Sequence, residues 1–147
     1  MTNEECLKAL ENGRRIVAML HAQGTNVVGF GEMGIGNTSA SSLLIHRFLD
    51  LPIEECVGAG AGVQGEALSH KQKVLVEVSK KYNPSTPLET LATFGGLEIA
   101  MMVGAFLEAK RQNMVILVDG FIASAALLTA IQFEPTIKEN CFFWSWK

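Results

Sequence analysis

Residues Asn26 to Ser39 read NVVGFGEMGIGNTS, and the rest of the chain is organised around them. A short apolar run, Val27-Val28, climbs into Gly29, Gly31, Gly34 and Gly36 and ends on Asn37-Thr38-Ser39, where a helical pattern begins. Strand, glycine loop and helix N-terminus in that order hold phosphates in α/β proteins, through backbone N–H groups and the positive end of the helix dipole. A carboxylate, Glu32, sits inside this anion-binding turn and needs a separate reason.

Working outward, the N-terminal pair Thr2 and Glu5 forms a capping box, followed by Cys6, Leu7, Leu10, Val17 and Leu20 at helical spacing and a stop at Gly24. Ser41 to Leu49 reads as the helix leaving the glycine loop, ended by Pro52. Ile53 to Val57 is expected to be a strand running into GAGAG at Gly58 to Gly62. A helix follows over about Glu66 to Tyr82, with Leu68, Leu75, Val78 and Tyr82 on its buried stripe. Lys71 falls on that stripe. Most such lysines snorkel; the sharper alternative is a cation directed past the helix end into a ligand site.

Thr86-Pro87-Leu88-Glu89 opens another helix, Gly95-Gly96 interrupts it, and Leu97 to Lys110 forms the next, with Met101-Met102 as core filler. Met114 to Val118 (MVILV) has the continuous apolar character of a central parallel strand. It empties into Asp119-Gly120-Phe121, then a small-residue helix from Ile122 to Phe133, and CFFWSWK (Cys141 to Lys147) starts as a further strand. Repeated β-α connections imply an α/β fold, a Rossmann-like three-layer arrangement with a mostly parallel sheet covered on both faces, in one domain spanning 1–147. The loops after the three expected strands, Gly31 to Thr38, Gly58 to Gly62 and Asp119 to Phe121, should line one crevice at the carboxyl ends of the strands.

The totals narrow the function. At 147 residues, 48% apolar and 18% charged, the composition is that of a single globular domain. A net charge of −3 without a basic stripe argues against nucleic acid, and no Lys/Arg cluster or spanning apolar run suggests a membrane. Cys6, Cys56 and Cys141 are odd in number and unpaired in spacing, as expected of reduced cytoplasmic thiols. His21, His46 and His70 lack metal-ligand spacing, and the polar, acidic Thr2-Asn3-Glu4-Glu5 is unlike a secretory leader. A cytoplasmic protein without metal or cofactor is expected. Gly29, Gly31 and Gly34 do satisfy G-x-G-x-x-G, with Asp50 near the distance of a ribose-binding acid. Asp50, however, closes a helix instead of a second strand, and Glu32 would repel a pyrophosphate. A single phosphate beside a sugar hydroxyl or a cationic ring fits better than NAD, although an NAD-binding oxidoreductase stays as an alternative.

GFGEMGIGNTS (Gly29 to Ser39) closely resembles the signature of the nicotinate-nucleotide–dimethylbenzimidazole phosphoribosyltransferase family, which acts in the nucleotide-loop part of cobalamin synthesis. The resemblance continues through VGAGAGV (Val57 to Val63), LSHK (Leu68 to Lys71), TPLET with FGGLEIAMMVGA (Thr86 to Ala105) and VILVDGFIASAA (Val115 to Ala126). It implies transfer of phosphoribose from nicotinate mononucleotide to 5,6-dimethylbenzimidazole, giving nicotinate and α-ribazole 5′-phosphate with inversion at the anomeric carbon. It assigns the phosphate to Gly34, Ile35, Gly36, Asn37 and Lys71, with Thr38, Gly60 and Gly62 beside it. It gives Glu32 the role of an auxiliary carboxylate facing positive charge at the ribosyl centre, or of a partner for a ribose hydroxyl, puts Met33 near the aromatic base, and makes Asp119 and Gly120 another wall of the crevice. It also suggests a homodimer.

Three departures accompany the matches. Ala59 stands where the family's second glycine motif, usually GRGTG, carries arginine. Full-length members are more than twice as long, and their glycine-flanked glutamate, the proposed general base, lies in a carboxyl-terminal segment with no counterpart in these residues. Near Phe143 the family continues with a histidine-containing stretch, which the divergent ending Trp144-Ser145-Trp146-Lys147 does not match. The expectation is therefore a central fragment carrying the nucleotide-phosphate half of the site, with little activity alone; the alternative is a non-catalytic nucleotide-phosphate-binding module or subunit.

Overall fold

The computed structural model describes residues 1–58 and 65–144, the side chain of Trp144 excepted. The chain begins with α1 (Asn3–Ala22), whose Thr2–Glu5 capping box forms as expected, the Glu5 amide donating to Thr2 Oγ1 at 3.1 Å and the Thr2 amide to Glu5 Oε2 at 2.8 Å. Strand β1 (Val27–Gly31) leads through the glycine loop into α2 (Thr38–Leu49), which starts three residues before the predicted Ser41. The short α3 (Ile53–Cys56) and the longer α4 (Glu66–Lys81) and α5 (Pro87–Phe94) follow, then α6 (Leu97–Arg111), β2 (Val115–Asp119) and α7 (Gly120–Phe133). A 3-10 helix (Pro135–Asn140) hands the chain to β3 (Cys141–Trp144).

Ile53 to Cys56 is a helical turn, not the strand read from its apolar ends. Pro52 at φ −53° pre-sets the first turn, and Glu54 and Glu55 sit at its N-terminus, where the helix dipole favours acids. GAGAG therefore follows a helix. Residues 59–64, which include Gly60 and Gly62, lie outside the described residues. Of the apolar positions read at helical spacing in α1, Leu7 is 53% exposed, while Cys6, Leu10 and Val17 are buried.

The sheet is parallel throughout, in the order β1-β2-β3, with Gly31 opposite Asp119 and Leu117 opposite Phe142. That order runs in one direction, and right-handed crossovers then deposit successive helices on the same face. Ile116 and Val118 are buried against that helical layer, where Phe106 of α6 meets Phe30 of β1 at 4.2 Å between ring centroids. On the opposite face Val27, Val115, Leu117 and Phe142 are exposed. The second helical layer expected from MVILV is not among the described residues, and β2 alternates in burial where a fully enclosed strand would not. The α/β class and the parallel sheet stand. Among the described residues no helix is long and apolar enough to cross a membrane.

All three strands point their carboxyl ends to one edge. There the glycine loop, Asp119 and the N-termini of α2 and α7 come together, because each of these helices follows its strand directly or after one short loop.

Candidate functional site at the N-terminus of helix α2

The loop from Glu32 to Gly36 is held by few internal bonds, chiefly the Ile35 amide donating to the Met33 carbonyl at 2.6 Å. Gly36 has φ +84°, a left-handed conformation that suits glycine and turns the chain into α2. Gly34 has little spare room: a Cβ there would lie 3.1 Å from Thr38 Cγ2 and 3.5 Å from Ile122 of α7. Met33 and Ile35 project outward, 74% and 70% exposed. Two large apolar side chains displayed on a loop form a surface suited to an apolar or aromatic ligand.

Asn37 occupies the N-cap of α2, yet its side chain makes no capping bond. Its Nδ2 donates instead to Glu32 Oε2 at 2.7 Å and to Glu98 Oε1 of α6 at 3.4 Å. The first-turn amides of α2 are thus left without a side-chain acceptor at the cap, and the first turn of α2 carries no acid. By contrast α1, α4, α5 and α6 each have a glutamate in the first turn. An uncapped, acid-free helix start presents N–H donors and positive potential to an anion.

A cation arrives at the same place from α4. Lys71 Nζ donates to Thr38 Oγ1 at 3.1 Å, which sets its ammonium beside the first residue of α2. Lys71 is half-buried, and its head reaches the start of α2. Two buried polar atoms at this end, Asn37 Oδ1 and Ser41 Oγ, have no partner among the described residues. Orphaned buried acceptors and donors are uncommon, and here two lie within about one turn of each other.

The second wall is the end of β2. Gly31 faces Asp119 in register, and a Cβ on Gly31 would come within 3.6 Å of Asp119 Cβ and Oδ2. Asp119 is exposed at the N-cap of α7 without a capping bond of its own, and Gly120, at φ +82°, makes the turn into that helix. Glu32, Met33, Gly34, Ile35, Gly36, Asn37, Thr38, Lys71, Asp119 and Gly120 therefore gather at one edge of the sheet. Gly60 and Gly62 fall outside the described residues.

Glu98 was not singled out in the sequence. It stands in the first turn of α6, just after the N-cap Gly96, and an acid there reads as an ordinary helix-dipole partner. Only the tertiary contact with Asn37, 61 positions away, shows a further connection. Among the described residues no group of three or more His, Cys, Asp or Glu could hold a metal ion.

A family model described as phosphoribosyltransferase matches residues 1–145. The nicotinate-nucleotide–dimethylbenzimidazole phosphoribosyltransferase of Cupriavidus taiwanensis is 49% identical over 144 residues, covering 97% of this chain and 42% of that protein. The protein of the same name from Dechloromonas aromatica is 46% identical over 147 residues, again covering 97% and 42%. The crystal structure of CobT from Thermus thermophilus superposes with a TM-score of 0.91 at 35% identity, over 97% of this chain and 43% of that one. The chain thus spans about 42% of the length of the curated relatives it matches. A match over nearly all of its residues places it: the chain belongs to this phosphoribosyltransferase family.

Proposed function

We propose that these residues form the nucleotide-phosphate half of the site of a nicotinate-nucleotide–dimethylbenzimidazole phosphoribosyltransferase, a cytoplasmic enzyme of cobalamin biosynthesis working as a homodimer. The observation that carries this is the meeting of Lys71 with the uncapped start of α2. A phosphate there accepts from the first-turn amides and from the ammonium together, a charge-assisted arrangement stronger than either alone.

In the reaction so assigned, the C1′–N bond to nicotinate breaks and its electron pair returns to the pyridine ring. A nitrogen of dimethylbenzimidazole supplies the pair that forms the new C1′–N bond from the opposite face, and the base then sheds its N–H proton. Positive charge builds at the ribosyl centre between these events, and a fixed carboxylate stabilises it. Glu32 suits that task, because Asn37 holds it at the loop without neutralising it. Met33 and Ile35, exposed on the same loop, suit the face of the aromatic base. Proton removal from the attacking base belongs to the glycine-flanked glutamate that the family resemblance assigns to a segment outside these residues.

Calorimetric titration of the 147-residue protein with nicotinate mononucleotide tests the assignment. The unaltered protein should bind, and Lys71→Ala should bind about tenfold more weakly, the effect of losing one charge-assisted hydrogen bond at a partly exposed site. Equal affinity in the two proteins, at unchanged circular dichroism, would remove Lys71 from the phosphate site.

A further inference from the structure

We propose that Glu98 is a positioning residue for Glu32, acting through the carboxamide of Asn37. The inference rests on the role given to Glu32 above and adds a residue, on a different element, that controls where its carboxylate points.

The reasoning begins with the amide. A carboxamide has a donor end and an acceptor end of nearly the same shape, so a single carboxylate neighbour can be lost by a flip of the group. Ionised carboxylates only accept. Asn37 Nδ2 carries two N–H bonds, and the two carboxylates take one each, Glu32 at 2.7 Å and Glu98 at 3.4 Å. With acceptors on both sides, a flipped Asn37 would set its own oxygen against two anions. Glu98 thereby fixes the donor end toward Glu32. The fold tolerates a visible cost for this, since Asn37 Oδ1 is buried without a partner among the described residues and its side chain makes no capping bond to α2.

Local structure shows that the placement of Glu98 is built in. Its carboxylate folds back over Gly96, and a Cβ at Gly96 would overlap both carboxylate oxygens. Gly96 has φ −112° and ψ 165°, a conformation any residue adopts, so the backbone does not require glycine there. The space above Gly96 serves Glu98. A plain helix-dipole acid at the start of α6 would need neither that space nor a bond to a residue 61 positions away.

The clamp is read first without ligand, by nuclear magnetic resonance of the Asn37 side-chain amide. Glu98→Gln, which offers either a donor or an acceptor and so releases the amide, should shift the Asn37 Nδ2 proton pair and speed its exchange. Gly96→Ala should do the same by displacing the carboxylate, with the fold intact because the nearest atoms it meets belong to the far end of a flexible side chain. An unmoved Asn37 pair in both variants would overturn the proposal. Binding then separates positioning from bulk stability: nicotinate mononucleotide affinity should fall about fivefold in Glu98→Gln, the usual effect of a loosened hydrogen bond. Inorganic phosphate, which reports the cradle alone, should bind as before. In a Glu32→Gln background the Glu98 substitution should add nothing. Equal loss for both probes, or full additivity with Glu32→Gln, would also overturn it. If the unaltered protein fails to bind nicotinate mononucleotide while the Asn37 amide still responds, the substrate assignment falls and the clamp stands.

Discussion

Gly104→Ala should destabilise the protein even though alanine is the better helix former. Helices α1 and α6 cross so closely that a Cβ on Gly104 would overlap the Leu10 carbonyl oxygen and lie 2.6 Å from its carbon and 2.8 Å from its Cα. Gly13 makes the reciprocal approach, where a Cβ would overlap the Met101 carbonyl oxygen. These obstacles are backbone atoms and cannot rotate aside. Carbon contacts relax at about 3.5–4.0 Å, so the helices must separate by about 1 Å or more. That gap opens along the seam where Cys6, Leu10 and Val17 of α1 share the core with Ala100 and Val103 of α6, all buried. Overpacking costs about 1–3 kcal/mol, and the upper end applies where backbone meets backbone. Replacing a helical glycine returns about 0.5–1 kcal/mol, leaving a net loss of about 2 kcal/mol. For a chain of this size the expected fall in Tm is about 4–8 °C. Differential scanning calorimetry or thermal circular dichroism reads it. A Tm that is unchanged or raised would show that the helix-propensity gain wins and that the close crossing is not rigid.

Other consequences are independent of that seam. Glu108 is buried on α6 and accepts from Arg111 at 2.6 and 2.8 Å and from Gln112 at 2.7 Å, and the Arg111 hydrogen bonds hold its carboxyl below the ordinary 4.5. A depressed folded value means that the contribution is present above 4.5 and is lost as pH falls through the folded value. Glu108→Gln should therefore be less stable near neutrality by about 1–3 kcal/mol and should show a flatter acid limb in urea midpoints taken from about pH 7 to about pH 3. The same midpoints falling in parallel for both proteins would contradict it. At the start of α5, Thr86 Oγ1 accepts from the Glu89 amide at 3.2 Å while Glu89 Oε2 accepts from the Thr86 amide at 3.3 Å. Thr86→Ala should lose about 1 kcal/mol and about 2–4 °C in Tm, checked by thermal denaturation.

Much of the fold was legible because its signals are local. The capping boxes at Thr2 and Thr86 are set by side chains three residues apart, and both form. The apolar run MVILV becomes β2 with a one-residue offset, and Cys141 to Trp144 pairs beside it. Ile53 to Cys56 misled because four residues with two apolar ends fit a strand or a single helical turn equally, and Pro52 with the adjacent acids decides for the turn. The coverage of the sheet was not legible from β2, because a continuous apolar run reports that both faces are apolar, not that both are covered. Strand order determines which face the described helices take, and strand order is a property of the whole chain.

The site divides in the same way. The glycine loop, the helix start after it and the presence of Glu32 in the turn are written in consecutive residues, since a loop that offers backbone donors needs only glycines and a following helix. The family resemblance starts from those same consecutive residues. What only the tertiary structure decided are the partners from elsewhere in the chain: Lys71 brought by α4 to Thr38, Asp119 brought opposite Gly31 by parallel register, and Glu98 brought by α6 to Asn37. The physical reason is that an uncapped helix end and a carboxamide have directions but no memory of sequence distance. Their partners are chosen by how the helices pack on the sheet, and in Glu98 an ordinary first-turn acid acquires a second task only because Gly96 leaves it the space to turn.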